Sequence, residues 1–132
     1  MSQENLQVVR DLMQAFNARD GGAVSHYADD VEYRLIGGFS GLSGQMLKGR
    51  EAVLEFAWEL IETLEARFEV ERLAEVDDRV VLIASTAGAG GESGAPVTQR
   101  WGQIYTFREG KITAVDNYWE ANQALEAVGL AE

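Results

Sequence analysis

Val97-Thr98-Gln99-Arg100-Trp101-Gly102-Gln103-Ile104-Tyr105-Thr106-Phe107 alternates two sets of side chains along its length. As a strand it carries Val97, Gln99, Trp101, Gln103, Tyr105 and Phe107 on one face and Thr98, Arg100, Gly102, Ile104 and Thr106 on the other. The aromatic set needs cover, so that face is predicted to lie under helices. Just downstream, Glu109-Gly110 supplies a two-residue turn and Lys111 to Trp119 returns as a second strand. Thr113, Val115, Asn117 and Trp119 share one of its faces; Ile112, Ala114, Asp116 and Tyr118 share the other. Both faces are partly apolar, and a one-residue slip would exchange Asn117 for Asp116.

Working back from this hairpin, Phe68 to Val76 and Arg79 to Ala87 form another, turned by Asp77-Asp78. Residues 88–96, rich in glycine and ending in Pro96, are expected to lack regular structure at a hairpin tip. Before the strands the period changes to 3.6. Val53, Phe56, Ala57, Leu60, Ile61 and Leu64 make an apolar stripe that predicts one buried-face helix over 50–65. Leu6, Val9, Leu12, Met13 and Phe16 predict an earlier helix, capped by Ser2 and stopped by Asp20-Gly21-Gly22. Between the two helices stand one or two helical turns at Val24–Ala28, a turn at Asp29-Asp30, a strand at Val31–Ile36 and a loop from Gly37 to Gly49. Gln123 to Val128 closes the chain as a short helix before Gly129. The sum is an α+β chain of one domain, residues 1–132, with helices segregated on one face of a largely antiparallel sheet.

Composition narrows the function classes. Twenty-two acidic residues stand against 11 basic ones, giving a net charge of −11 that repels phosphate backbones and anionic membranes. Nucleic acid is not an expected partner. There is no cysteine and one histidine, which removes thiolate chemistry and a nitrogen-rich zinc site, and no Asp/Glu spacing suggests another metal. No cofactor is expected. Neither a signal pattern nor a membrane-length apolar run is present, so the expected location is cytoplasmic.

Tyr33, Leu35, Phe56, Trp101, Gln103, Tyr105, Val115, Asn117 and Trp119 are the expected lining of a ligand pocket. Such a wall, apolar with few polar groups, suits a small hydrophobic molecule held by two or three hydrogen bonds. The alternative is that these aromatics only fill a core.

Several segments in order resemble the nuclear transport factor 2-like superfamily, and within it the SnoaL-like proteins related to ketosteroid isomerase and polyketide cyclases. They are Phe16-Asn17-Ala18-Arg19-Asp20, Tyr27-Ala28-Asp29-Asp30-Val31-Glu32-Tyr33, Lys48-Gly49-Arg50-Glu51-Ala52-Val53, Tyr105 to Ile112, and Asn117-Tyr118-Trp119-Glu120. The resemblance implies a cone-shaped, cystatin-like fold, a curved sheet wrapped on long helices with a deep pocket. It also implies a homodimer through the outer sheet face, here Arg100, Ile104, Ala114 and Tyr118. Function transfers less directly, because the fold hosts isomerases, cyclases, hydrolases and adaptors. The general base of the isomerase branch aligns with Leu35 and its helix tyrosine with Leu12, neither of which moves a proton. Its second oxyanion-hole acid aligns with Tyr105, a phenol that still donates. The essential aspartate of the cyclases aligns with Asn117, which is no base.

Four residues are therefore catalytic candidates. Tyr105 and Asn117 would polarise a carbonyl as paired donors, Asp116 would be the acid/base residue if the register slips by one, and His26 is the only side chain that ordinarily titrates near neutrality. Two functions stay open at this point: an isomerase- or cyclase-like enzyme on a hydrophobic carbonyl compound, or a non-catalytic ligand-binding or dimeric module without the catalytic carboxylate.

Overall fold

A computed structural model of the chain describes residues 2–36, 45–65, 67–90 and 95–130. The stripe Val9, Leu12, Met13 and Phe16 is buried along the first helix, α1 (Ser2–Asn17), of which Ser2 is the opening residue rather than a preceding cap. Arg19 turns left-handed after it, and the Asp20 carboxylate accepts from the Gly22 N–H at 2.8 Å. That cap starts a 3-10 helix at Gly21–His26, earlier than the turns expected at Val24–Ala28.

The first strand, β1 (Tyr27–Ile36), also begins earlier than its apolar alternation implies. Asp29 and Asp30 interrupt the pattern, and the sequence reading made them a turn before the strand. They lie inside it, where the register against the last strand shifts between Tyr27 and Glu32. Both carboxylates face solvent there, with Asp29 3.0 Å from Arg50 and Asp30 3.2 Å from Arg108. Of the expected loop Gly37–Gly49, residues 37–44 lie outside the described residues. Met46–Lys48 forms a short strand, β2, antiparallel to β1. Gly49 then takes φ 88, a region open to glycine, and its N–H reaches the Val31 carbonyl at 2.8 Å as the next helix starts.

That helix, α2 (Arg50–Leu64), buries Val53 and Ile61, while Phe56, Ala57 and Leu60 are only half-buried. The expected uniform burial of the stripe is thereby corrected: its middle faces a cavity. The Leu64 side chain lies outside the described residues. Two hairpins follow, β3 (Arg67–Val76) with β4 (Arg79–Gly90), and β5 (Ala95–Arg108) with β6 (Lys111–Tyr118). Their turns use left-handed Asp77, and left-handed Glu109 with Gly110. The tip expected to be irregular over 88–96 is paired further than composition suggests, since Gly88, Ala89 and Gly90 ladder with Val97, Pro96 and Ala95. Residues 91–94 lie outside the described residues.

The sheet runs β2-β1-β6-β5-β4-β3, curved and unclosed, antiparallel except for the parallel β1–β6 pair. A second irregularity, between Thr106 and Phe107, brings Phe107 opposite Ile112 and bulges β6 at Thr113. Ile112 therefore joins Val115 in the main core, not the outer set to which strict alternation assigned it. The last helix, α3 (Ala121–Ala127), lies on the other side of the sheet, packing Ala121, Ala124 and Leu125 on Val81, Ile83 and Ile104. Helices are thus not confined to one face, and Ile104 is covered by its own chain. Gly102 permits this contact, because a Cβ there would stand 2.5 Å from that of Ala124. Among the described residues no helix is long and apolar enough to cross a membrane.

Candidate functional site

Curvature separates α1 and α2 from the sheet at one end and leaves a partly enclosed cavity of about 160 Å³. Helix side chains Met13, Phe16, Phe56, Ala57 and Leu60 form one wall; Tyr27, Tyr33, Phe68, Thr86, Gln99, Trp101, Gln103, Asn117 and Trp119 form the rest. The aromatic groups brace one another: Phe16 with Phe68 at 6.2 Å between ring centroids and Phe68 with Trp101 at 5.7 Å pack edge to face, and Phe56 meets Tyr33 tilted at 5.8 Å. Asn17 ties α1 to β3 beside these rings by accepting from the Phe68 N–H and donating to its carbonyl, each at 2.8 Å. A dry cavity of roughly 150 Å³ takes one benzene ring, so this one suits a core of one or two fused rings.

One polar cluster interrupts the apolar wall. Gln103 and Asn117 are directly opposed on β5 and β6, and Tyr33 reaches them from β1. The Gln103 amide nitrogen donates to the Tyr33 hydroxyl and to Asn117 Oδ1, both at 2.8 Å, and the Tyr33 hydroxyl donates to Asn117 Oδ1 at 3.1 Å. Behind them, the Tyr105 hydroxyl donates to Gln103 Oε1. Trp101 Nε1 donates to Thr86 Oγ1 at 2.6 Å on the far wall. At the cavity, the Asn117 amide nitrogen and the Tyr27 hydroxyl have no hydrogen-bond partner among the described residues. Both belong to residues no more than 5% exposed that line the cavity.

Burial pushes the hydroxyls of Tyr27, Tyr33 and Tyr105 above the ordinary phenol range. Neighbouring phenols add to the rise at Tyr27 and Tyr105, while the bond from Gln103 partly offsets it at Tyr33. All three are neutral hydrogen-bonding groups at physiological pH. The described lining contains no carboxylate and no imidazole. Among the described residues no cluster of metal-ligating side chains forms.

Of the residues the sequence put at the pocket, Tyr33, Phe56, Trp101, Gln103, Asn117 and Trp119 line the cavity. Leu35, Tyr105 and Val115 do not; each is at most 1% exposed within the packed core. Tyr105 thus meets Gln103 rather than a ligand. Asp116 points to the opposite face, 3.2 Å from Arg34, and is not at the cavity in this register. His26 ends the 3-10 helix and borders a shallow outer groove with Asp11, Gln14 and Asp20. Sequence reasoning missed Tyr27 altogether, since it lies beyond a register shift in residues that read as a helical turn. It also read Met13, Phe16, Ala57 and Leu60 only as helix core, and did not assign Phe68, Thr86 or Gln99 to the wall.

The sequence profile of the SnoaL-like domain matches residues 9–115. A search among curated proteins returns no significant match. Similar solved structures include TerC co-crystallized with polyporic acid, 24% identical, covering 95% of this chain and 97% of that one at TM-score 0.74. A Mycobacterium tuberculosis protein in complex with estradiol-17beta-hemisuccinate is also 24% identical, with 91% and 95% covered at 0.75. An NTF2-like protein from Burkholderia pseudomallei is 22% identical, with 98% and 99% covered at 0.76. At these identities the likeness is one of fold.

Proposed function

Because the chain belongs to the SnoaL-like domain family, we propose that it is a small-molecule-pocket protein that binds a flat, largely apolar compound bearing one polar group such as a carbonyl. The observation that carries this reading is an aromatic cavity lined by two buried residues, Tyr27 and Asn117, whose hydroxyl and amide nitrogen have no hydrogen-bond partner among the described residues. Buried polar groups are ordinarily satisfied, and a ligand or water at these atoms would satisfy them. The organic ligands carried by TerC and by the mycobacterial protein support a small molecule as the class of occupant.

Binding without catalysis fits the wall better than isomerase or cyclase chemistry does. Neutral phenols and amides supply hydrogen bonds but no general base at physiological pH. An enzyme on this scaffold would place the same donors on a developing enolate oxygen and take its base from substrate or solvent. The test has two parts. Indane, a two-ring hydrocarbon, should raise the melting temperature saturably, and lose that effect when Ala57→Phe fills the cavity. Deuterium uptake at the α-carbon of 1-indanone in D2O should proceed at the buffer rate; a large acceleration would favour the enzyme. The reading includes a homodimer through what α3 leaves of the outer face, around Arg100, Ala114 and Tyr118. Sedimentation giving a monomer at high micromolar concentration would rule that out.

A further inference from the structure

We infer that Tyr105, although it does not touch the cavity, is a positioning residue that fixes the hydrogen-bonding polarity of the site, so that it selects ligands presenting an oxygen acceptor over ligands presenting only a donor. The inference rests on the ligand-binding reading above and extends it from the shape of the ligand to its chemistry.

A primary amide presents an acceptor on one side and two donors on the other, and a half-turn exchanges them. Asn117 alone could therefore show the cavity either an oxygen or an NH2 group. Its partners do not decide the matter by themselves. Gln103 is another reversible amide, and the Tyr33 hydroxyl can donate or accept. With all three reversed, every bond among them would still be made.

Tyr105 breaks this symmetry. Its hydroxyl is buried in the core, and its single hydrogen-bond partner among the described residues is Gln103. If it accepted from the Gln103 amide nitrogen, its own hydrogen would be left inside the core without an acceptor among the described residues, which is costly. It therefore donates, and Gln103 Oε1 must be the atom facing it. The Gln103 amide nitrogen then faces Tyr33 and Asn117, each at 2.8 Å. The Tyr33 hydroxyl accepts from Gln103, which leaves it to donate to Asn117 Oδ1. Both acceptor directions of Asn117 are now used, and its NH2 group is the side left to the cavity. An acceptor ligand meets this donor together with the Tyr27 hydroxyl. A donor-only ligand finds only the Tyr27 oxygen and is opposed by the Asn117 N–H groups.

Indane, 1-indanone and indole test this, being flat two-ring molecules of similar size that carry neither group, an acceptor only, and a donor only. Isothermal titration calorimetry of the wild-type protein should show 1-indanone binding about fivefold or more tighter than indole, the worth of about one hydrogen bond. In Tyr105→Phe the amides are free to reverse, and the ratio should fall to about 2 or below while indane affinity changes less than about twofold. A purely structural role for Tyr105 would instead weaken all three ligands alike. Absence of a preference in the wild type, or its survival in Tyr105→Phe, would overturn the inference while indane binding still upheld the cavity. Failure of indane to bind would remove the underlying reading and this inference with it. Should Tyr105→Phe not fold, side-chain amide NMR of the wild type decides: the Asn117 NH2 resonances should shift with 1-indanone and not with indane, and equal response to both would refute the relay.

Discussion

Tyr27, Tyr33 and Tyr105 bring three phenols into one buried region, and the consequence reaches beyond ligand binding to stability at high pH. Each has its folded-state pKa raised, chiefly by burial. Above about pH 10 the unfolded chain gives up these protons while the folded chain keeps them, so the folded state binds more protons and stability falls with rising pH. The slope is about 1.4 kcal/mol per pH unit for each phenol, and the contribution is fully present below pH 10. Alkaline titration followed by phenolate absorbance should therefore show these three ionising together with cooperative unfolding, separately from half-exposed Tyr118. Gradual ionisation of all four in a folded protein would contradict their burial. At the neighbouring position, Asp116→Asn removes only a partly exposed pair with Arg34. It should cost no more than about 1 kcal/mol and leave ligand binding unchanged. A loss of binding would mean that Asp116, not Asn117, faces the cavity.

Among the elements, α2 separates packing from lining. Ile61 is fully buried, so Ile61→Ala should cost about 2–5 kcal/mol in denaturant unfolding. Phe56 is half-buried at the cavity and should cost less on truncation while changing ligand affinity more. The reverse order would place Phe56 in the closed core. Gly102→Ala makes a complementary test on the other face: its Cβ would meet Ala124 at 2.5 Å, so α3 must move, at about 1–3 kcal/mol, with little effect on binding. Elements with one strong period were legible from sequence: the α2 stripe, the two hairpins and the aromatic face of β5. Positions set by irregularities were not. Ile112 stands beside a bulge that breaks strand parity, and Tyr27 lies beyond a register shift in residues that read as a helical turn; no local pattern of side chains announces either irregularity. Tyr105 illustrates a different limit. Its face was read correctly, but whether an inward side chain reaches a cavity or stops in the core depends on how far the helices stand from the sheet, which no single strand encodes.

At the scale of the whole molecule the sheet has two unlike faces, one closed by α3 and the other held open by α1 and α2 around the aromatic cavity. An acidic chain with net charge −11 surrounds a lining that carries no formal charge among its described residues. That combination favours neutral ligands over anions, which the long-range field would oppose. Trp101 and Trp119 line the cavity and Trp58 packs on Phe16, so an occupant should be visible to intrinsic fluorescence. The most direct measurement is a titration with nitrobenzene, a one-ring acceptor that quenches tryptophan. Saturable quenching in the wild-type protein, reduced to linear collisional quenching in a folded Ala57→Phe variant, is the predicted result. Linear quenching in both proteins would contradict the central claim that this fold holds a cavity open for a small ligand.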